Sequence, residues 1–208
     1  MVAIVDYGVG NLFSLQSSFA AIGAEVTVTA DPAVLENADH ILLPGVGAFE
    51  DAARKLRQAG LDQVLIRLAK AGKPLLGICL GMQLLFQRSF EYGEHTGLGL
   101  MEGDVVPMAG VIPADYKIPH IGWNALHIHK EHPLMKYVED GQCVYFVHSY
   151  YATRCEEAIL ATAEYGPALT AAVAYKNVYG CQFHPEKSGP VGLSILKAFL
   201  ETQEGPPW

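Results

Sequence analysis

An apolar run ends at a cysteine that has a glycine two residues away on either side: Leu75-Leu76-Gly77-Ile78-Cys79-Leu80-Gly81-Met82-Gln83. This is the pattern of a nucleophile elbow, a sharp strand-to-helix turn that presents one reactive side chain and needs small neighbours so that strand and helix can approach. A thiol at the first turn of a helix feels the positive end of the helix dipole, which favours the thiolate. A thiolate that attacks an amide also needs a base to carry the proton to the leaving amine, and the base needs an orienting acceptor. His184-Pro185-Glu186 offers both. In extended geometry residues i and i+2 project to one side, and Pro185 biases His184 towards that geometry. The developing oxyanion requires backbone donors. The amide of Leu80 is one candidate, and the Gly45-Val46-Gly47 turn supplies the other through Val46 or Gly47.

These residues must be positioned by a regular scaffold. Val2 to Val5 reads as a short buried strand, and a helix follows through Leu12, Leu15, Phe19 and Ile22 until Gly23. Asn11 stands at the N-cap position of that helix. Glu25 to Thr29 and His40 to Leu43 are further strands, the second ending at Pro44-Gly45. One or two helices cover Glu50 to Ala71, with Gly60 as a break, and the elbow helix is expected from Leu80 to Arg88. Gly8-Val9-Gly10 resembles the start of a dinucleotide fingerprint, but Phe13 stands where its third glycine belongs.

From Gly97 onward the chain turns to strand-like runs, and helical periodicity returns only after Pro190. The expected fold is α/β. A single domain over residues 1–208 has a largely parallel central sheet flanked by helices, with additional antiparallel strands in the C-terminal half. In such sheets the site lies beyond the carboxyl ends of the strands, where both Cys79 and the Pro44 turn would fall. The tail from Glu204 to Trp208 is expected to fray.

Composition narrows the function. Half of the 208 residues are hydrophobic and 17% are charged, which fits a folded domain with a continuous core. A net charge of −8 argues against a general nucleic-acid or anionic-membrane binder. The start of the chain carries no basic stretch before Asp6, so no signal peptide is expected, and no run reaches membrane-spanning length. The cysteines at 79, 143, 155 and 181 show no Cys-x-x-Cys spacing and point to a reducing cytoplasm. Apart from Cys79 they are expected in the core. His127, His129 and His132 are close in sequence, yet no acidic or thiol ligand accompanies them at a metal-binding spacing, so a solvent-facing edge strand is the expectation. No metal and no cofactor is implied.

Gly77-Ile78-Cys79-Leu80-Gly81-Met82-Gln83 followed far downstream by Phe183-His184-Pro185-Glu186 resembles the class I (triad) glutamine amidotransferases. Val5 to Asn11, Pro44 to Phe49, Gly122-Trp123-Asn124 and Phe146 to Tyr151 are similar in particular to the glutaminase subunits of imidazole glycerol phosphate synthase, in histidine biosynthesis. The resemblance covers essentially the whole chain. It implies that Cys79 attacks the side-chain amide of L-glutamine, His184 passes the proton that releases ammonia, and Glu186 positions His184. It also implies that Gln83 and Glu91 hold the substrate's backbone groups and that His148, Ser149 and Tyr150 line the same pocket. The implied partner is a cyclase subunit, in a heterodimer, whose tunnel receives the ammonia. There it reacts with a phosphoribulosyl-formimino aminoimidazole carboxamide ribotide. Asn11, Trp123 and Lys187 match positions near that interface. The glutaminase would stay nearly idle until the cyclase binds its ligand, through rearrangement of the Gly45–Gly47 turn. Two other readings stand beside this one: a cysteine hydrolase or a glutaminase serving another synthase, such as pyridoxal phosphate synthase, and a non-catalytic module.

Overall fold

Four short segments, Val2–Val5, His40–Leu43, Leu75–Ile78 and Val178–Cys181, are buried at every position, as parallel strands covered on both faces must be. In the computed structural model, which describes residues 1–208, they form the middle of the molecule. In chain order the strands are β1 (Val2–Val5), β2 (Val26–Thr29), β3 (His40–Leu43), β4 (Leu75–Ile78), β5 (Phe86–Ser89), β6 (His95–Thr96), β7 (Met101–Pro107), β8 (His120–Ala125), β9 (His127–Ile128), β10 (Cys143–His148), β11 (Tyr150–Thr153), β12 (Ile159–Glu164), β13 (Ala168–Tyr175) and β14 (Val178–Cys181). The helices are α1 (Leu12–Ala21), α2 (Pro32–Asn37), α3 (Phe49–Gln58), α4 (Leu61–Lys70), α5 (Leu80–Leu84) and α6 (Gly189–Leu200).

The main sheet has the order β2-β1-β3-β4-β14-β13-β12-β9. Its first five strands run parallel and the last three add antiparallel pairings. Side chains alternate between two cores, as the two-residue period of a strand requires. Ala3, Val5, Ile41, Leu43 and Leu75 pack with α3 and α4, while Val2, Ile4, Leu42, Leu76 and Ile78 pack with α1 and α6. Burying a Phe such as Phe49 or Phe199 contributes about 2–3 kcal/mol relative to exposure, so each core fixes its helices firmly. Beyond this sheet lie a β8–β10 ribbon and a four-stranded sheet of order β11-β7-β5-β6.

The structure corrects the expected scaffold in four places. The elbow helix ends at Leu84, not Arg88: the amides of Leu98, Leu100 and Met101 occupy the carbonyls of Leu84 and Leu85, and Phe86–Ser89 pairs as a strand instead. Residues 32–37 form a helix the pattern did not reveal, begun by Pro32 and capped by Asp31, whose carboxylate accepts from the Ala33 amide at 2.9 Å. Cys143 is exposed at the start of β10, although Cys155 and Cys181 are buried. The C-terminal tail is docked.

That docking rests on a close backbone approach. A Cβ on Gly72 would stand 1.9 Å from the Gly205 carbonyl oxygen, so only glycine admits the tail there. The Gly205 and Trp208 amides donate to Gly72 and Lys70, the Trp208 indole donates to Asn177 Oδ1 at 2.7 Å, and Lys176 lies 4.4 Å from the indole ring. Removing residues 205–208 leaves the Asn177 oxygen unpaired and bares apolar surface. The truncated chain is expected to be about 2 kcal/mol less stable, read as a lower urea midpoint at unchanged slope; an unmoved midpoint would refute a stabilising tail.

Candidate active site

The turns that follow β1, β3, β4 and β14 all open at the carboxyl edge of the parallel strands, where an open α/β sheet places its site. Cys79 is the first residue after β4 and has φ 54° and ψ −112°, a left-handed backbone that a residue other than glycine enters at a cost of about 1–3 kcal/mol. Its neighbours explain how that conformation is enforced. A Cβ on Gly77 would lie 2.6 Å from the Gly81 carbonyl oxygen, and one on Gly81 would lie 1.9 Å from that of Leu43. The elbow expected from the glycine spacing is therefore a tight contact among β3, β4 and α5.

The Pro44 turn packs onto the same corner. A Cβ on Gly45 would stand 2.7 Å from the Gly81 amide nitrogen, and Tyr7 donates its hydroxyl to the Pro44 carbonyl at 2.7 Å. Burial, and after it the nearby Cys79, push the Tyr7 phenol far above its usual range, so it remains a donor. This seats Val46 and Gly47 in the pocket wall with Cys79 and Leu80.

β14 lies beside β4 in parallel register, with Cys181 opposite Ile78, and the Cys79 amide donates to the Cys181 carbonyl at 2.7 Å. Three residues on, the His184 amide is held by the Tyr145 carbonyl. Its imidazole Nδ1 pairs with Glu186 Oε1 at 2.8 Å, and both side chains are almost fully buried. The two meet across a 3₁₀ turn, Pro185–Lys187, and not in the extended geometry expected, because Pro185 opens that turn. His184 Nε2 is buried without a partner of ordinary hydrogen-bond geometry and stands beside the Cys79 thiol. Burial pulls the imidazole down, but Cys79 and then Glu186 outweigh it and push it up to about 9.

That shift carries a consequence for stability. The folded value lies above the ordinary 6.5, so the extra proton affinity stabilises the fold in full below about pH 6.5 and is lost as pH rises through about 9. Urea midpoints are expected to decline between pH 7 and 9 and to decline less in His184→Asn; equal slopes in the two proteins would refute the linkage. His148 does not interfere in this window. Burial, and then its neighbours His120 and His184, hold it down at about 4 against the Tyr150 carbonyl, so it is neutral throughout.

A cavity of about 550 Å³ joins these groups to the other expected residues: Val46, Gly47, Cys79, Leu80, Gln83, Glu91, His148, Ser149, Tyr150, His184 and Lys187 all line it. Several have roles that sequence reasoning did not resolve. Gln83 is buried, and its Nε2 donates to the Tyr150 carbonyl at 3.2 Å and to Gln182 Oε1 at 3.0 Å, which leaves its own Oε1 to meet a substrate donor. Glu91 accepts from the Phe49 amide at 2.5 Å, capping α3 with one oxygen and leaving the other for a ligand. His148 has both ring nitrogens engaged, Nδ1 with the Tyr150 carbonyl at 2.8 Å and Nε2 with His120 Nδ1 at 3.1 Å. It shapes the wall and has no nitrogen left for a substrate.

Trp123 is exposed rather than buried, and it and Lys187 flank the Tyr145 ring at 6.1 and 5.8 Å. Asn11 takes no part in that cluster; it precedes α1, half-buried, with no side-chain capping bond. His127 is exposed on edge strand β9, His129 bonds Thr162 at 2.8 Å, and His132 accepts from the Leu134 amide, so the three histidines do not converge. Gln182 and His120 were not singled out from sequence. Register would have found the first, since residue 182 lies beside residue 79 once β4 and β14 are paired.

Residues 3–202 match the family model described as "Glutamine amidotransferase class-I". Among curated proteins the chain is 47% identical to the imidazole glycerol phosphate synthase subunit HisH of Wolinella succinogenes, over 97% of this chain and 99% of that one. It is 49% identical to the same subunit of Bacillus licheniformis, over 98% of each. A crystal structure described as a glutamine amidotransferase superposes with a TM-score of 0.76 at 20% identity, covering 97% of this chain and 98% of that chain. At that identity the superposition speaks for the fold alone.

Proposed function

The chain belongs to the class-I glutamine amidotransferases and, within them, to the HisH subunits of imidazole glycerol phosphate synthase, and from that premise we propose how its own residues release ammonia from L-glutamine for histidine biosynthesis. Cys79 gives its thiol proton to His184 Nε2, and its sulfur attacks the side-chain amide carbon, forming a C–S bond and an oxyanion. The amides of Leu80 and of Val46 or Gly47 receive that oxyanion. His184 Nε2 gives its proton to the amide nitrogen, the C–N bond breaks, and ammonia leaves. Water then adds to the thioester, with His184 taking its proton, and glutamate departs as the thiol is restored. Glu186 holds His184 Nδ1–H throughout.

The observation that carries this reading is the buried His184–Glu186 pair, with its free Nε2 beside a cysteine in a left-handed elbow. Gln83 Oε1 and the second Glu91 oxygen are suited to the substrate's α-ammonium. The partner is the cyclase subunit in a heterodimer, and the Trp123–Tyr145–Lys187 surface beside the pocket, together with Asn11, is the face assigned to it. The compartment is the cytoplasm; no helix of the chain is long and apolar enough to cross a membrane. Residues 1–208 act as one domain.

The test is glutamine hydrolysis by the purified chain alone, with its cyclase, and with cyclase plus the cyclase ligand. A large stimulation in the last condition is expected, and none would refute the coupling. Gly47 has φ +93° and open space where a Cβ would stand, so Gly47→Ala burdens only the turn, by about 1 kcal/mol. It is expected to change the stimulation severalfold with little loss of thermal stability. Equal loss of both would count against rearrangement of this turn.

A further inference from the structure

Gln182 is fully buried next to the proposed nucleophile, and the reaction sketched above does not use it. Its side-chain amide spans a gap between two groups. Oε1 accepts from Gln83 Nε2 at 3.0 Å, and Nε2 lies 3.8 Å from Cys79 Sγ.

Which end of an amide is oxygen and which is nitrogen follows from its partners, and here the chain of partners has an unambiguous anchor. The Tyr150 backbone carbonyl only accepts. The Gln83 atom 3.2 Å from it must therefore be the NH₂. That NH₂ is a donor only, so the Gln182 atom facing it must be the oxygen. The other end of Gln182, facing the sulfur, is then the NH₂ and brings an N–H to the thiol. The sulfur also has the Val147 carbonyl at 3.8 Å, an acceptor for S–H. The sulfur thus sits between one group that serves the thiol and one that serves the thiolate.

We propose that Gln182 is a further catalytic residue, whose N–H donates to the Cys79 sulfur and holds it as the attacking thiolate. Gln83, fixed on the Tyr150 carbonyl, is the positioning residue that sets the orientation of Gln182. Parallel register enforces the contact, because residues 79 and 182 continue the pairing of Ile78 with Cys181. The arrangement also separates two tasks. Gln182 serves the sulfur in the free enzyme, whereas the backbone donors of Leu80 and the Val46–Gly47 turn serve an oxyanion that exists only after attack. The proposal rests on Cys79 being the nucleophile.

Two near-isosteric variants, Gln182→Met and Gln182→Glu, are compared in the full-length protein bound to its cyclase. Hydrogen bonds to charged groups are typically worth enough that losing one slows the thiolate reaction about tenfold. Gln182→Met is therefore expected to lower kcat for glutamine about tenfold, with KM moving less than about threefold. Alkylation of Cys79 by iodoacetamide should slow by the same factor, while the exposed Cys143 reacts at its usual rate. Gln182→Glu sets a carboxylate against the sulfur and should be slower still at neutral pH.

If Gln182 only fills space, Gln182→Glu and Gln182→Met leave Cys79 alkylation at the wild-type rate, and the proposal fails. Should either variant not fold, the wild-type protein decides. The Gln182 side-chain amide proton nearest the sulfur is expected to move in the NMR spectrum when iodoacetamide alkylates Cys79, and not when it alkylates Cys143 in Cys79→Ala; an unmoved resonance on alkylation of Cys79 overturns the contact. Hydrolysis surviving in Cys79→Ala would instead remove the nucleophile assignment itself, so the two failures are distinguishable.

Discussion

Replacing Cys79 by alanine is expected to lower glutamine hydrolysis by about 10⁴-fold or more, with or without the cyclase and its ligand, while the fold and the pocket persist. Loss of a nucleophile removes the covalent route altogether and leaves only binding and whatever the backbone donors contribute to a water reaction. Alanine keeps a Cβ at φ 54°, so the strain of the elbow is retained, and alanine is the reference for glycine because both lack the sulfur beside His184. Glycine at the same position gives a second, opposite-signed reading. It should be as inactive as alanine yet about 1 kcal/mol more stable, because the left-handed conformation costs glycine nothing. A hydrolysis assay with thermal melts of the three proteins checks both parts. Retained hydrolysis in either variant would move the chemistry off Cys79, and a glycine variant less stable than alanine would deny that the elbow is strained.

Gly81→Ala is expected to lower stability by about 3 kcal/mol or more. The added Cβ would lie 1.9 Å from the Leu43 carbonyl oxygen and 3.1 Å from the Pro44 carbonyl carbon. Both are backbone atoms of a buried strand end, so no flexible side chain can yield. Relief requires α5 to move away from β3, and that movement separates Cys79 and Leu80 from the Val46–Gly47 turn. Activity should therefore fall even in the fraction that folds. Gly205→Ala is the control: a Cβ there meets only Asn177 at 3.4 Å, an ordinary contact, and a cost under about 1 kcal/mol is expected. Comparable urea midpoints for the two variants would show that the close approach at the elbow has slack.

These two expectations have one structural origin. The elbow strains one residue and allows no Cβ at its glycine neighbours Gly77 and Gly81, and both costs are sustained by the packing of the central strands. Phe49, Leu56 and Leu65 on one side, and Phe19, Ile195 and Phe199 on the other, are each fully buried against the sheet. A site that needs an unfavourable backbone is thereby placed where the surrounding structure over-determines it.

Local geometry was legible in the residue pattern. Gly77, Cys79 and Gly81 specify a strand-to-helix elbow because only small neighbours permit the approach. His184-Pro185-Glu186 puts an imidazole two residues from its acceptor, although the two meet across the 3₁₀ turn Pro185–Lys187 and not through extended backbone. The all-buried runs at β1, β3 and β4 specify parallel strands. These are short-range facts, and the residues state them directly. The fold, and nothing shorter in range, settles what meets across the chain. The pairing of β4 with β14 puts Gln182 against Cys79 from 103 positions away, and the Tyr150 carbonyl orders two amides that no spacing connects. It also decided that the elbow helix stops at Leu84, because amides from 98–101 take its last carbonyls, and that Trp208 docks, because Gly72 and Asn177 receive the tail. Strand order and loop closure are set by the burial of the whole chain, a sum over distant contacts that no local pattern contains.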